Sequence, residues 1–191
     1  PNRLVEALAE NIPSLTSVVV NINREDTNVI LGETCFTLWG EDTIVDELCG
    51  LRLRLSPLSF YQVNAPQAEQ LYRLAAEAAG LQKDDILLDL YCGTGTIGLS
   101  MAHQVKQLIG VEVVSAAVED AQRNAAENGI TNARFICADA EQAALQLKAE
   151  GITPTVVVVD PPRKGCTPGV IDTIAADMEK ALLQFGAQGV D

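Results

Sequence analysis

Four carboxylates close four apolar runs in this sequence: Asp89 in "ILLDLYCGTGTIG", Glu112 in "LIGVE", Asp139 in "ARFICAD" and Asp160 in "VVVVDPPRKGC". Any one of them alone reads as a solvated helix cap as readily as a ligand-binding group. Four at equivalent places differ, because acids that converge perturb one another and mark a site. The first run leads into "GTGTIG", Gly93 to Gly98, which satisfies G-x-G-x-x-G, and Glu112 lies 17 residues beyond Gly95. That spacing fits a nicotinamide dinucleotide. Two features favour another ligand. Asp89 lies four residues before Gly93, where a carboxylate repels a pyrophosphate and attracts a cation, and the turn holds no basic residue to greet phosphate. S-adenosylmethionine suits the set better: Asp89 faces its cationic amino-acid arm, and Glu112 and Asp139 accept from a ribose and an adenine amino group.

The elements that must position these groups alternate regularly from residue 84: strand "ILLDL", glycine turn, helix to about His103, strand "LIGVE", helix "SAAVEDAQRNAAENG", strand "ARFICAD", helix "AEQAALQLKAEG", strand "TVVVVD". Near-continuous apolar strands separated by helices predict a parallel sheet covered on both faces, a doubly wound α/β domain. Ligands of such sheets sit beyond the carboxyl ends of the strands, near the switch in strand order. Residues 1–58 read as a small antiparallel appendage. They carry a short amphipathic helix with Leu4, Val5, Leu8 and Ile12 on one face, then the β-rich pieces "SVVVNIN", "NVIL", "CFTLWG", "TIVDEL" and "LRLRL". The last alternates apolar and charged residues, the period of a half-buried strand. The cofactor unit follows at 59–191. At its start Asn64 can cap a helix, Pro66 suits a first turn, Leu71, Leu74, Ala75 and Ala78 form an apolar stripe, and Gly80 ends it.

A length of 191 residues accommodates one large core, or one core with an appendage. No apolar run approaches the roughly 18 residues that cross a bilayer, and no charged-then-apolar leader opens the chain. The expectation is a soluble cytoplasmic protein with no membrane partner. A net charge of −13 argues against a broad basic surface that grips nucleic acid. Any polyanion would be held by a module elsewhere. The five cysteines (Cys35, Cys49, Cys92, Cys137, Cys166) form no C-x-x-C pair, so free thiols in a reducing compartment and no metal site are expected. The start at Pro1 suggests a piece of a longer protein.

Four motifs in this order, "SFYQVN" (59–64), "LDLYCGTGTIGL" (88–99), "GVEVVSAAVEDAQRNAAENGI" (110–130) and "VVVVDPPRKG" (156–165), resemble those of the RNA uracil-5-methyltransferases, which make 5-methyluridine in transfer and ribosomal RNA. The likeness spans nearly the whole chain, including "TNVILGE" and "LWGED", and "DPPRKGC" is more similar to the ribosomal-RNA branch. The resemblance implies the cofactor S-adenosylmethionine and an RNA substrate, 23S ribosomal RNA ahead of transfer RNA, held largely by regions outside this chain. It also implies the reaction: a cysteine thiolate adds to uracil C6, C5 attacks the methyl group, and a base removes the C5 proton from a flipped-out uridine.

By the same resemblance Asp160 is the catalytic residue, contacting cofactor and base. Gln62 reaches both as well, and Phe60 lies near the base. Asp89, Tyr91, Gly93, Gly95 and Thr96 line the cofactor, Glu112 is the ribose acid and Asp139 the acid near adenine. Phe60 has a plainer reading as a core residue. Pro161 and Pro162 fix φ and remove two donors, giving a stiff rim for a planar base, and Arg163 and Lys164 meet RNA phosphate. The plainer reading of that stretch is a turn with solvated cations. Cys92 and Cys137 read as packing residues. Cys166 lies six residues past Asp160, on a different element from the family's cysteine, and is rejected as the nucleophile.

The sequence departs from the family pattern where that nucleophile should stand, since it holds no Ser-Cys-Asn/Asp-Pro and no Thr-x-Ala-Arg-Asp. "VIDTIAA" runs straight into "DMEKALLQFGAQGVD", which is similar to the helix that follows Ala-Arg-Asp in the family. The expectation is that about twenty residues, a strand plus a loop, are missing between Ala176 and Asp177. The family's general-base glutamate would fall beyond Asp191, so the chain is expected to bind cofactor without turnover. Three other readings stay open. One is a class I methyltransferase acting on an exocyclic nitrogen, whose amine Asp-Pro-Pro would accept; "SFYQVN" argues against it. The others are an inactive cofactor-binding or interaction module, and a dehydrogenase resting on the glycine spacing.

Overall fold

The structure, a computed structural model, describes residues 2–171 except 25, 27–29, 33, 163 and 164, together with the backbone of 182–184. Helix α1 (Asn2–Asn11) precedes two antiparallel hairpins, β1 (Ser17–Ile22) with β2 (Thr34–Gly40) and β3 (Ile44–Leu48) with β4 (Leu51–Leu55). Then come α2 (Ala65–Ala79), β5 (Ile86–Leu90), α3 (Thr96–Met101), β6 (Gln107–Glu112), α4 (Ser115–Glu127), β7 (Ala133–Cys137), α5 (Ala140–Ala149), β8 (Val156–Val159) and β9 (Leu182–Gln184). The large sheet has the order β7-β6-β5-β8-β9 with every pair parallel, the doubly wound α/β architecture. From β5 the chain steps outward to β6 and β7, then returns through α5 to β8 on the other side of β5. Connections therefore part between the carboxyl ends of β5 and β8, which leaves a crevice there.

The valine run shows why this sheet forms. Val156 and Val158 belong to one core cluster with Leu87 and Leu108, whereas Val157 and Val159 belong to another with Leu88, Leu90 and Ile109. All four valines are at most 2% exposed. A strand covered on both faces must be apolar at every position, so it carries no alternation. Each such side chain contributes about 1.5–3 kcal/mol on full burial.

The β3–β4 hairpin is part of this body by packing, because Leu48, Leu53 and Leu55 share a cluster with Leu87. Its open edge is satisfied by a helix. Asn128 of the α4 end accepts the Arg52 N–H at 2.9 Å and donates to the Arg52 carbonyl at 2.8 Å, while Asn124 Oδ1 accepts the Arg54 N–H at 2.7 Å. Asp120 Oδ2 accepts the Ser56 N–H at 3.2 Å. Residues four apart on a helix rise about 6 Å and residues two apart on a strand about 6.6 Å, so the two rows keep step. A sheet edge that would otherwise recruit another strand is thus covered.

Several expectations are corrected. The buried face of α2 is Ala68, Tyr72 and Ala75, with Leu71 and Leu74 44% and 54% exposed. The small alanines let the helix lie close, and the Tyr72 hydroxyl finds Thr96 Oγ1 at 3.4 Å. Asn64 stands at the N-cap without a side-chain cap bond, and Gly80 ends the helix at φ 58°. The expected strand "NVIL" lies partly outside the described residues, and Ile30 and Leu31 sit in a bend. Within the stretch expected as a C-terminal helix, 182–184 form β9, whose pairing satisfies the backbone of β8. The rest of that stretch, including the junction at 176–177, lies outside the described residues. Cys92 is buried as expected; Cys137 is exposed, because β7 is the edge of the sheet. Among the described residues no helix is long and apolar enough to cross a membrane, and no side-chain cluster could hold a metal ion.

Candidate functional site

At the end of β5 the backbone turns through left-handed positions: Tyr91 at φ 63°, Gly93 at 54° and Gly95 at 82°. Glycine adopts these freely, whereas a tyrosine does so at a steric cost, a form of strain that clusters at ligand sites. Gly98 serves differently. A Cβ there would stand 2.7 Å from Leu108 Cδ1 and 2.8 Å from Asp89 Oδ2. Its absence lets α3 rest on the sheet and the Gly98 N–H donate to Asp89 Oδ2 at 2.8 Å. Asp89 is 1% exposed, and its Oδ1 has no partner among the described residues. Burial pushes its pKa up to about 7 against the pull of the Gly98 bond, and the Asp160 and Glu112 carboxylates raise it further. The site is short of positive charge.

Glu112, the last residue of β6, locks the glycine turn to that strand. Its Oε2 accepts the Gly93 N–H at 3.1 Å, and its Oε1 accepts Val113 and Val114 N–H at 2.8 and 3.0 Å. Asp139 caps α5 through the Gln142 N–H at 2.8 Å, so the plain cap reading is realised. It also lines a cavity of about 360 Å³ with Tyr91, Val111, Glu112, Val113, Ala138, Ala140, Glu141, Thr167 and Val170. That volume is within the range of small-ligand pockets, about 300–1,000 Å³. Apolar walls with an acid on either side suit a flat heterocycle joined to a sugar. Tyr91 has its pKa raised by burial and by the Cys166 thiol beside it, so Cys166 sits against Tyr91.

Asp160, just past β8, is half-buried and has its pKa raised by that burial. Its charge is felt by both Asp89 and Tyr72, and burial is the main cause of the raised Tyr72 pKa. Tyr72 in turn touches Thr96. Thus Asp89, Tyr91, Gly93, Gly95, Thr96, Glu112, Asp139 and Asp160 gather at the carboxyl ends of β5 to β8. Gln62 is half-buried and Phe60 is 76% exposed, and no hydrogen bond joins either to the acids. The core reading of Phe60 is thereby excluded. Arg163 and Lys164 lie outside the described residues; past the two prolines the Gly165 N–H donates to the Pro162 carbonyl at 2.7 Å.

Sequence reasoning missed Tyr72, Thr94, Glu141, Thr167 and Val170. Thr94 is buried with its Oγ1 unpartnered among the described residues, and its carbonyl accepts from Asn124 Nδ2 at 3.3 Å. Only Tyr72 left a signal, as the one large residue spaced four and three from Ala68 and Ala75.

The family model of the tRNA (uracil-5-)-methyltransferases matches residues 50–182. An uncharacterized RNA methyltransferase of Staphylococcus aureus is 49% identical over 173 residues, covering 91% of this chain and 38% of the relative. A second, from Streptococcus pyogenes, is 49% identical over 175 residues, 92% of this chain and 38% of its own length. This chain therefore spans less than two fifths of these curated relatives. Among solved structures, the Pyrococcus abyssi tRNA (uracil-54, C5)-methyltransferase in complex with S-adenosyl-L-homocysteine is similar with a TM-score of 0.68. It is 28% identical, over 88% of this chain and 40% of that one.

Proposed function

Because this chain belongs to the tRNA (uracil-5-)-methyltransferase family and has the class I methyltransferase fold, we propose that it is the cofactor-binding part of a cytoplasmic enzyme that methylates uracil C5 in ribosomal RNA from S-adenosylmethionine. Residues 59–191, completed by the β3–β4 hairpin, make up that part. The observation that carries the reading is the buried Asp89 Oδ1, left without a partner among the described residues while two further carboxylates press on it. Such a group calls for a cation, and the neighbouring glycine turn and cavity accept the nucleoside to which that cation would be attached. When bound, the cofactor supplies an electrophilic methyl group on a cationic sulfur.

The chain's own residues bind and orient. Asp89 draws in the cationic arm. Glu112 keeps lone pairs free beyond its three backbone bonds for ribose hydroxyls, and Asp139 with the apolar cavity walls holds adenine. Asp160 accepts from a ring N–H of the base, and the exposed ring of Phe60 offers a flipped uracil a stacking face. Gln62 reaches the same base and the cofactor. Arg163 binds an RNA phosphate.

Neither cysteine beside the glycine turn and Asp160 is suited to add to C6: Cys92 is buried among carboxylates and Cys166 sits against Tyr91. The thiolate that adds to C6 and the base that removes the C5 proton belong to residues outside this chain, which alone binds cofactor without turnover. With a net charge of −13, the grip on RNA also belongs mainly to other parts of the protein.

Calorimetry with S-adenosylhomocysteine and with NAD tests the cofactor assignment. Binding of the former alone is expected, and binding of NAD alone would refute it. For the reaction, the full-length protein is incubated with unmodified ribosomal RNA and the nucleosides are resolved by mass spectrometry. 5-Methyluridine is expected; an N-methylated base would assign the site to an exocyclic amine instead.

A further inference from the structure

Asp120 lies on α4, outside the cofactor cavity, yet it is 1% exposed and every bond it makes serves one short segment or its own helix. Its Oδ2 accepts the Ser59 hydroxyl at 2.7 Å and the Ser56 N–H at 3.2 Å, and its Oδ1 accepts from Arg123 at 3.0 Å. The Ser59 N–H donates to the Ser56 carbonyl at 3.0 Å, which closes the turn Ser56-Pro57-Leu58-Ser59 at the exit of β4. Proline at the second place of that turn pre-sets its φ. One buried carboxylate therefore holds the first residue of the turn by its backbone and the last by its side chain.

The residues just beyond the turn give the clamp a purpose. Phe60 is 76% exposed, whereas the next side chain, Tyr61, is packed against the main core with its hydroxyl buried. Phe60 thus stands in solvent between two anchors, Ser59 on Asp120 and Tyr61 in the core. Chain slack does not explain an outward aromatic held in this way. The helix that carries Asp120 also holds the glycine turn, through the bond from Asn124 Nδ2 to the Thr94 carbonyl at 3.3 Å. A single rigid element sets the distance between the cofactor turn and the segment that bears Phe60 and Gln62.

We propose that Asp120 and Ser59 are positioning residues for the target base, fixing Phe60 and Gln62 relative to the strand ends. This rests on the base-methylating function proposed for the chain. The hydroxyl-to-carboxylate bond is short and directional and its acceptor is charged, the strongest class of neutral-donor hydrogen bond. Losing it frees the turn on one side without touching the cofactor cavity.

The full-length protein is compared with its Ser59→Ala and Ser59→Thr variants. Ser59→Ala is expected to weaken S-adenosylhomocysteine only slightly, through Gln62, while kcat for RNA methylation falls about 10- to 100-fold, the penalty for a misplaced reactant. Ser59→Thr, which retains the hydroxyl, restores kcat. A Ser59→Ala enzyme with parental kcat overturns the proposal. So does a loss shared equally with cofactor affinity, or a loss that Ser59→Thr does not repair, either of which marks a merely structural bond. A second measurement does not need turnover. A Phe60→Trp reporter, on a background in which every other tryptophan, Trp39 included, is replaced by Phe, is expected to depolarise faster on the nanosecond scale once Ser59→Ala is added, and to be quenched less by a uridine-containing single-stranded oligonucleotide. Unchanged depolarisation and quenching overturn the proposal even if no 5-methyluridine is ever made. Absence of 5-methyluridine from the parent, with the reporter responding as stated, refutes only the uracil reading.

Discussion

Replacing Asp89 by Asn keeps the shape of the side chain and an oxygen for the Gly98 N–H, and removes the titrating proton. In the unfolded chain an aspartate releases that proton near pH 4; in the native state it is held until about pH 7, chiefly by burial and then by the charges of Asp160 and Glu112. Between those values the native state binds more protons than the unfolded one, so stability falls as pH rises and levels off above about pH 7. An interval of about three pH units, at about 1.4 kcal/mol each, bounds this loss at about 4 kcal/mol. Urea unfolding from pH 4 to pH 8 reads it directly. The parent should lose stability across the window, and Asp89→Asn should lose less by up to that amount. Ligand binding carries the opposite sign, since a cation favours the charged carboxylate. S-adenosylmethionine should bind the parent about tenfold more tightly at pH 8 than at pH 6, a dependence absent from Asp89→Asn. Parallel stability curves for the two proteins would refute the account of Asp89 as a buried, charge-starved acid.

Gly98→Ala places a methyl group against Leu108 and Asp89, and should lower the unfolding free energy by about 1–3 kcal/mol as an overpacked contact; a neutral result in urea melts would show that α3 can move off the sheet. Glu112→Ala should weaken S-adenosylhomocysteine by about 1–3 kcal/mol in calorimetry, the loss of a charged acceptor, and equal affinity contradicts its assignment to ribose. Asp160→Ala in the full-length protein should abolish methylation in a nucleoside assay while the fold, followed by circular dichroism, is retained. Asn124→Ala deprives the Arg54 N–H of its acceptor and should cost about 1–3 kcal/mol of stability, read by chemical unfolding.

The parallel sheet was legible because its cause is local. Strands buried on both faces need unbroken apolar runs such as 156–159, and the helices between them need their own period. The acids at the strand ends were legible for a related reason: in a parallel sheet all carboxyl ends point the same way, so residues at the ends of successive runs must meet. The orientation of α2 was not legible. Leu71 and Leu74 make a more apolar stripe than Ala68, Tyr72 and Ala75, but the choice went to the face that fits closely and bonds Thr96. In "VEDAQRNAAEN" nothing in the sequence singles out the polar residues Asp120 and Asn124, which are buried because a strand edge from residues 52–56 lies against them.

By itself the order of residues determined strands β5 to β8, the helices between them and the side to which their acids point, since each depends on near neighbours in the chain. Strand β9 reads as helix in the sequence, because only its pairing with β8 makes it a strand. Tertiary structure alone decided which carboxylate holds its proton. Asp89 owes its state to helix α3 above it and to charges from two other strands, and no window of sequence contains those neighbours together.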